Sequence, residues 1–582
     1  MKRNGAVHVA TIRRQHKGKV YETHLLRHSY REDGVVKNET LANLSVLPPE
    51  SIALLRGSLA GKSYVVAGEG WEIERSLLHG HVAAVAAMAD KLKLASLLGP
   101  GSKERDLILA LVIARCVKPA SKLGTIRWWQ DTTIAEDFGV GDASTDEVYG
   151  AMDWLVERQG AIEASLARRH LLEGSRVLYD LSSSWMEGNK CPLTTFGYSR
   201  DHKRGKTQIE YGLMTDVDGR PISIEVFAGN TADPTAFVSA VNITRERFGL
   251  KELIMVGDRG MITSARIEAL RELGGPKWIT CLRAPAIKTL AEEGSIQLGL
   301  FDQVNLAAMS HPDYPDERLI ACRNPSLAIE RKRKRNKLLD ATEVEFSRIA
   351  EAVSAKRLKG TAAIAKKVGK VSNRYKMAKH FITSITDESF SYVRNNAGIE
   401  TEAALDGIYV IRTSVPESEL SDAAAVEAYK GLSAVERDFR NLKAIDLDLR
   451  PIYHYDANRV RAHVFISMLA AYLNWHLRKA WAPLCFTDEE IPTRIDPVAP
   501  AQRSDAAKLK DANKQAPDGE ALHSFSTLLN HLGTLTRNTV VFDGGVKIEK
   551  LSIPTPTQRK AFELIGVPVP TTLGGKSTER SH

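Results

Sequence analysis

The feature that most constrains this chain is a series of short apolar segments, starting near residue 175, that alternate with turn signals and helical patterns. SRVLYDLSSSW reads as a buried strand ending in Asp180, and TQIEYGLMTD with RPISIEVFAG reads as a hairpin closed around Asp218 and Gly219. A helix near AFVSAVNITRERFG, a strand ELIMVGD, a helix SARIEALREL and a strand KWITCLRA follow. Three adjoining strands and then alternating strands and helices make an α/β layer. The alternation breaks off for about 120 residues and resumes at the strand DGIYVIRTS, followed by the helix AAAVEAYKGLSAVERDFRNLKA.

At 582 residues the chain exceeds what one hydrophobic core fills, so several domains, or one domain with large insertions, are expected. Residues 1–60 hold two β-like runs around the turn-forming QHKGK and read as a small β-containing lobe. Residues 61–173 are helical in spacing, and Ser144 with Glu147 forms a capping box that opens the helix DEVYGAMDWLVERQ. Two readings of RWWQ in this helical domain stay open, DNA contact and core packing. Residues 174–283 and 404–482 would form the two parts of the α/β layer. Between them, 284–403 reads as an insertion, with the helical RKRKRNKLLDATEVEFSRIAEAVSAKRLKGTAAIAKK and the hairpin HFITSITDESFSYVRN. Residues 483–582, richer in Pro, Ala, Gln and Ser, read as a partly ordered tail.

No uncharged apolar run is long enough to cross a membrane, and the start MKRNGAVHVATIRRQ lacks the apolar stretch of a secretory signal, so a cytoplasmic protein is expected. Five scattered cysteines without a CxxC pair speak against a zinc ribbon or a disulfide framework and read as buried thiols. The net charge of +9 is concentrated. Residues 331–379 carry 16 Lys and Arg against 4 Asp and Glu, and the remainder carries 64 against 67.

Three acids stand where metal ligands would be useful. Asp180 follows RVLY, Asp258 follows LIMVG, and Glu436 lies in a helix that presents Tyr429, Glu436, Arg440 and Lys443 along one stripe. Taken singly, each has an ordinary explanation: an Asp after a strand is a turn former or cap, and Glu436 with Arg440 is an i,i+4 surface pair. Their joint placement on one inferred layer favours chemistry, with the acid holding a metal and the cations holding phosphates.

The order of a strand-end Asp, a second Asp in VGDRG and a Glu on a late helix resembles the DDE transposases, whose catalytic domain has a ribonuclease H-like fold. The resemblance extends to the bacterial insertion-sequence group with a Tyr-x2-Arg-x3-Glu-x6-Lys helix. Tyr429, Glu436 and Lys443 match that helix, and Leu432 stands at its Arg position, where Lys430, Arg437 or Arg440 could substitute. GYSRDHKRGKTQIEYGLMTDVDGRPI, DGIYVIRTS and RPIYHYDANRVRAHVFISMLA are also similar to segments of this group.

The resemblance implies a ribonuclease H-like mixed sheet flanked by helices. It also implies two Mg2+ ions, or Mn2+ in their place, held by Asp180, Asp258 and Glu436, with Lys443 and Tyr429 holding the phosphate beside the scissile bond. The partners would be the element's terminal repeats and target DNA, gripped by a dimer associated with the nucleoid. SRDHKRGK, with Lys203 and Arg204, reads either as a DNA-backbone grip or as a solvated loop. The basic segment, with Arg331, Arg333 and Arg335, reads as a non-specific phosphate-binding arm. Two rival functions share these residues: a nuclease of the same fold that cuts without joining, and a DNA-binding protein without catalysis.

Overall fold

A computed structural model of the chain describes residues 5–62, 64, 70–201, 203–263, 267–268, 271, 276–297, 299, 301, 304–494, 496–516, 519–543 and 545–573. Its contacts divide it into two compact units, 1–76 with 538–550, and 77–537 with 551–582. In the first unit, β1 (Gly5–His16), β2 (Lys19–Glu32) and β3 (Val35–Asn43) form an antiparallel meander, followed by the helix α1 (Pro49–Leu59). The turn between β1 and β2 places Lys17 and Gly18 at positive φ, as a two-residue hairpin demands. A second sheet there joins β4 (Trp71–Leu78) to β15 (Thr536–Phe542) and β16 (Lys547–Leu551).

In the second unit, among the described residues, eight strands form one mixed sheet. They are β5 (Arg176–Trp185), β6 (Gln208–Thr215), β7 (Pro221–Ala228), β8 (Ile254–Gly257), β9 (Lys277–Cys281), β10 (Leu306–Met309), β11 (Arg318–Arg323) and β14 (Ile408–Thr413), in the order β10-β11-β14-β9-β8-β5-β6-β7. β5, β6 and β7 run antiparallel, whereas β8 and β9 run parallel to β5. β6 and β8 are buried along their whole length and β5 along most of it, as a sheet covered on both faces requires; only β8 is wholly apolar, whereas β5 and β6 also bury Ser182, Ser183, Ser184, Gln208 and Glu210. This is the mixed sheet flanked by helices that was expected, with β5 between β8 and β6. The β6–β7 turn closes at Gly219, whose φ of +80° a side chain would strain. The helix expected over 264–273 falls largely outside the described residues.

Helices cover the sheet. α2 (Gly80–Lys91), α3 (Lys103–Val117) and α4 (Thr145–His170) precede it, and α4 opens with the capping box of Ser144 and Glu147. After β7, α5 (Asp233–Asn242) packs on β5 and β6. The catalytic-helix candidate α8 (Asp422–Arg440) packs on β5, β8 and β9, and α9 (Ala457–Ala480) packs on β7, α3 and α4. One apolar core runs continuously from Val82 through the sheet to α9 and on to Leu573, so the helical region and the α/β layer do not have separate cores. Trp128 and Trp129 lie within it at 5% and 0% exposure, which settles those two rings as packing residues.

Two segments show more than the sequence suggested. Part of the insertion 284–403 joins the layer itself: β10 and β11 extend the sheet beyond β14. The rest, α6 (Pro325–Ser354), α7 (Thr361–Tyr375), β12 (Phe381–Ile385) and β13 (Phe390–Arg394), builds a satellite core around Phe346, whose ring meets Phe381 and Phe390 edge-on. The tail 483–582, expected to be partly ordered, contains among its described residues, which end at 573, α10 (Asp505–Asn513), α11 (Phe525–Gly533) and α12 (Pro556–Ile565), and buries Phe525, Leu528, Leu532, Phe562 and Ile565. Each of these helices is short, but each is capped, by Ser504, Ser524 and Thr555, and α11 and α12 pack their apolar stripes on α2. All five cysteines are buried and free, and among the described residues no helix is long and apolar enough to cross a membrane.

Candidate active site

Pairing of the parallel strands places the first two acids. β5 and β8 are in register up to Tyr179 opposite Gly257, so Asp180 and Asp258 occupy the next position on neighbouring strands. β8 stops there and the chain turns, with Met261 and Ile262 donating to the Asp258 carbonyl. β5 does not stop: it continues to Trp185 along β6, so Asp180 lies mid-strand rather than at the strand end expected from sequence. Its hydroxyl-bearing continuation SSS pairs with β6, which explains why the strand outruns its aliphatic stretch.

The third acid arrives on α8. Ser421 caps the helix, and Ala425, Val426, Ala428, Leu432, Val435 and Phe439 form its buried stripe. Tyr429, Ser433, Glu436 and Arg440 lie along the adjacent stripe and line a cavity of about 1040 Å³ that Asp180 and Asp258 also line. Arg200, Arg259, Asn324, Tyr409, Lys430 and Lys443 complete much of its wall. Three carboxylates separated by 78 and 178 residues of chain therefore share one cavity rimmed by cations.

Asp180 is half-buried, whereas Asp258 and Glu436 are exposed. Burial pushes the Asp180 carboxyl up to about 7; the Leu181 N–H, donating at 2.8 Å, and the Arg200 guanidinium oppose that rise, and the charges of Asp258 and Glu436 add to it. Among the described residues no three His, Cys, Asp or Glu side chains are gathered closely enough to hold one ion, so the acids line a common space without yet closing around a point. The donor set still fits a hard divalent cation. It consists of carboxylates with no His or Cys in the cavity lining, and its most buried member is driven towards protonation by burial, with a smaller push from the like charges of Asp258 and Glu436, both of which a cation would offset.

The remaining predicted residues divide. The Tyr429 hydroxyl donates to Asp258 at 3.5 Å. Arg440 lines the cavity and is exposed. Lys443 lies past the end of α8, in a π-helical turn (Asn441–Ile445), where its ammonium bonds Asp201 at 2.9 Å. Lys430 cannot stand in at the Arg position of the helix motif, because it donates to the carbonyls of Pro497, Val498 and Ala499. Leu432, at that position, belongs to the buried stripe. Lys203 and Arg204 are exposed outside the cavity lining, with the Lys203 ammonium 5.3 Å from the Trp185 ring centre. Arg331 and Arg333 are exposed on α6. Arg335 is not: its side chain is 6% exposed and donates to both Asp406 oxygens, at 2.9 and 2.5 Å, so it is a structural ion pair and leaves the phosphate-binding set.

Sequence reasoning missed Arg200 and Asp201. Both sit in SRDHKRGK, and the acid embedded in that basic run was the available signal.

Two sequence-family models match the chain. Residues 9–67 match the N-terminal domain of IS1634 family transposases, and residues 187–473 match the transposase DDE domain. The second match contains Asp258 and Glu436 and begins beyond Asp180. No curated protein matches. Among solved structures, a piggyBac transposase synaptic complex with hairpin DNA aligns over 80% of this chain and 81% of its own, at 9% identity and a TM-score of 0.31, too distant to carry an argument. With one transposase domain matched at each of two places along it, the chain is a DDE transposase of an insertion sequence, an enzyme of DNA cleavage and strand transfer that depends on divalent metal ions.

Proposed function

We propose that Asp180, Asp258 and Glu436 hold two Mg2+ ions, replaceable by Mn2+, and that this site cuts the ends of the mobile element and joins the freed 3′ ends to target DNA. The observation that carries this reading is the convergence of three sequence-distant carboxylates on one cation-rimmed cavity. When bound, such ions promote deprotonation of the attacking hydroxyl and offset the charge that develops on the phosphate. Asp180 presents its carboxylate from the middle of β5, and Glu436 from α8. Tyr429 orients Asp258 through its hydroxyl, and Arg440, with Lys443, holds the phosphate beside the scissile bond.

Away from the cavity, Lys203, Arg204, Arg331 and Arg333 grip phosphates. Such contacts supply affinity and register and carry no direct sequence information. Two element ends must be joined to one target, so the active form is a dimer on DNA, working at the nucleoid.

The test uses Asp180→Asn, Asp258→Asn and Glu436→Gln with an end-labelled terminal duplex and Mg2+. Each variant should lose cleavage by at least about 10³-fold, about 4 kcal/mol of transition-state stabilisation, while binding the duplex as the parent does. Cleavage near the parental rate by any one removes that residue from the set. Light scattering of the DNA complex tests the dimer; one protein copy per paired complex would exclude it.

A further inference from the structure

The segment 199–206 reads as a basic run, yet its single acid is buried. The Asp201 side chain is 2% exposed. Its Oδ1 accepts from the Lys443 ammonium at 2.9 Å and is ion-paired with Arg450, while its Oδ2 is buried with no hydrogen-bond partner among the described residues. Lys443 is also nearly enclosed, at 10% exposure of its side chain. The contact spans 242 residues of chain and ties the loop after β5 to the turn that ends α8. The same loop carries Arg200, whose N–H donates to Ser183 Oγ at 3.0 Å and whose side chain lines the cavity with Lys443 and the three acids.

Two physical points follow. A lysine ammonium is a compact charge on a flexible stem, so it takes up a fixed place only where a partner holds it, and a buried one needs an opposite charge. Here one carboxylate serves two cations, so the Asp201, Lys443 and Arg450 group keeps a net positive charge at the cavity wall.

We propose that Asp201 is a positioning residue, which fixes the Lys443 ammonium at the cavity wall where it meets the phosphate beside the scissile bond. The proposal rests on the reading of Lys443 as a phosphate-holding residue. A merely structural acid would, on removal, weaken folding, DNA binding and cleavage together. A positioning acid separates them: without its charge the wall becomes more positive and binding holds or tightens, while cleavage falls because the ammonium is no longer placed.

The experiment compares the full-length protein with Asp201→Asn, Lys443→Gln and the double variant. Binding of a terminal duplex is followed by fluorescence anisotropy without divalent ion, and cleavage by single-turnover kinetics with Mg2+. Asp201→Asn should bind at least as tightly as the parent and cleave about 10 to 100-fold more slowly, the usual effect of losing a residue that orients another. The double variant should cleave no more slowly than Lys443→Gln alone, because both changes act on one ammonium. Parental cleavage by Asp201→Asn, parallel loss of binding and cleavage, or multiplying losses in the double variant would each overturn the proposal while leaving Lys443 in its role if Lys443→Gln is slow. Parental cleavage by Lys443→Gln removes the underlying reading and the proposal together. Should Asp201→Asn fail to melt cooperatively, Asp201→Glu, which keeps the charge but displaces it, carries the same expectation of slowed cleavage with retained binding.

Discussion

The catalytic layer and the satellite built from α6, α7, β12 and β13 use charge in opposite ways. Around the cavity, charges of both signs share one space and depend on one another: Asp180 is pushed towards protonation, Lys443 leans on Asp201, and Tyr429 on Asp258. On the satellite, Arg331, Lys332, Arg333 and Lys334 stand exposed in a row, and the fold beneath depends on aromatic packing instead. The difference separates chemistry from grip. Groups of the first kind are interpretable only together, and those of the second kind act additively.

The sharpest test of that division replaces Arg331, Lys332, Arg333 and Lys334 with Gln, leaving Arg335 to its pair with Asp406. If all four reach phosphate, the slope of log affinity against log salt becomes shallower by about 3.6, and affinity falls on the order of 10³-fold near physiological salt. Single-turnover cleavage at saturating DNA should be unchanged. A salt titration with an unaltered slope breaks the comparison, since the satellite would then be an ordinary solvated surface.

Next in size is Phe346→Ala, which removes the centre of the satellite core and should cost that region about 3 kcal/mol. Hydrogen exchange should show protection lost across α6, α7 and β13 and kept in β5 and β8. Equal loss in both would mean that the two cores melt as one.

A third effect concerns proton and cation competing for Asp180. The folded carboxyl keeps its proton up to about 7 and the unfolded one releases it near 3.8, so in metal-free protein this group's contribution to stability falls as pH climbs through that window. Divalent-ion affinity follows the opposite course: it rises tenfold per pH unit up to about 7 and levels above it, about 100-fold between pH 5 and 8. Isothermal titration with MgCl2 at the two pH values measures this, and equal affinities would show that Asp180 does not meet the ion. Smallest is Ser144→Ala, which removes the cap of α4 outside both charge systems and should cost about 1 kcal/mol in thermal unfolding, with cleavage untouched.

Much of this was readable from local chemistry. The β6–β7 hairpin showed in its Asp218-Gly219 turn, α4 in its capping box, and the satellite hairpin in the run HFITSITDESFSYVRN. The triad could be named because strand-and-acid order survives in sequence, whereas the register that sets Asp180 beside Asp258 is a long-range pairing with no local trace. Arg335 was misread for a related reason: in RKRKR each residue looks alike, and only the helical phase of α6 turns one of them inward. Asp201 was overlooked because its partners lie 242 and more residues away. The tail's helices left little trace in its composition, because short capped stripes suffice when a ready surface such as α2 awaits them.

The strand order carries one more implication. β14 is flanked by β9 on one side and by β11, from within the interrupting segment, on the other. Cutting that segment out and bridging 283 directly to 406 would remove β10 and β11 and leave β14 as a bare rim of unpaired N–H and C=O groups, with Val410 and Ile411 at full burial in the intact chain. Such an edge is a template for another chain. A trimmed protein of this kind should therefore self-associate through β14, so the long detour between the second and third acids doubles as a safeguard of solubility.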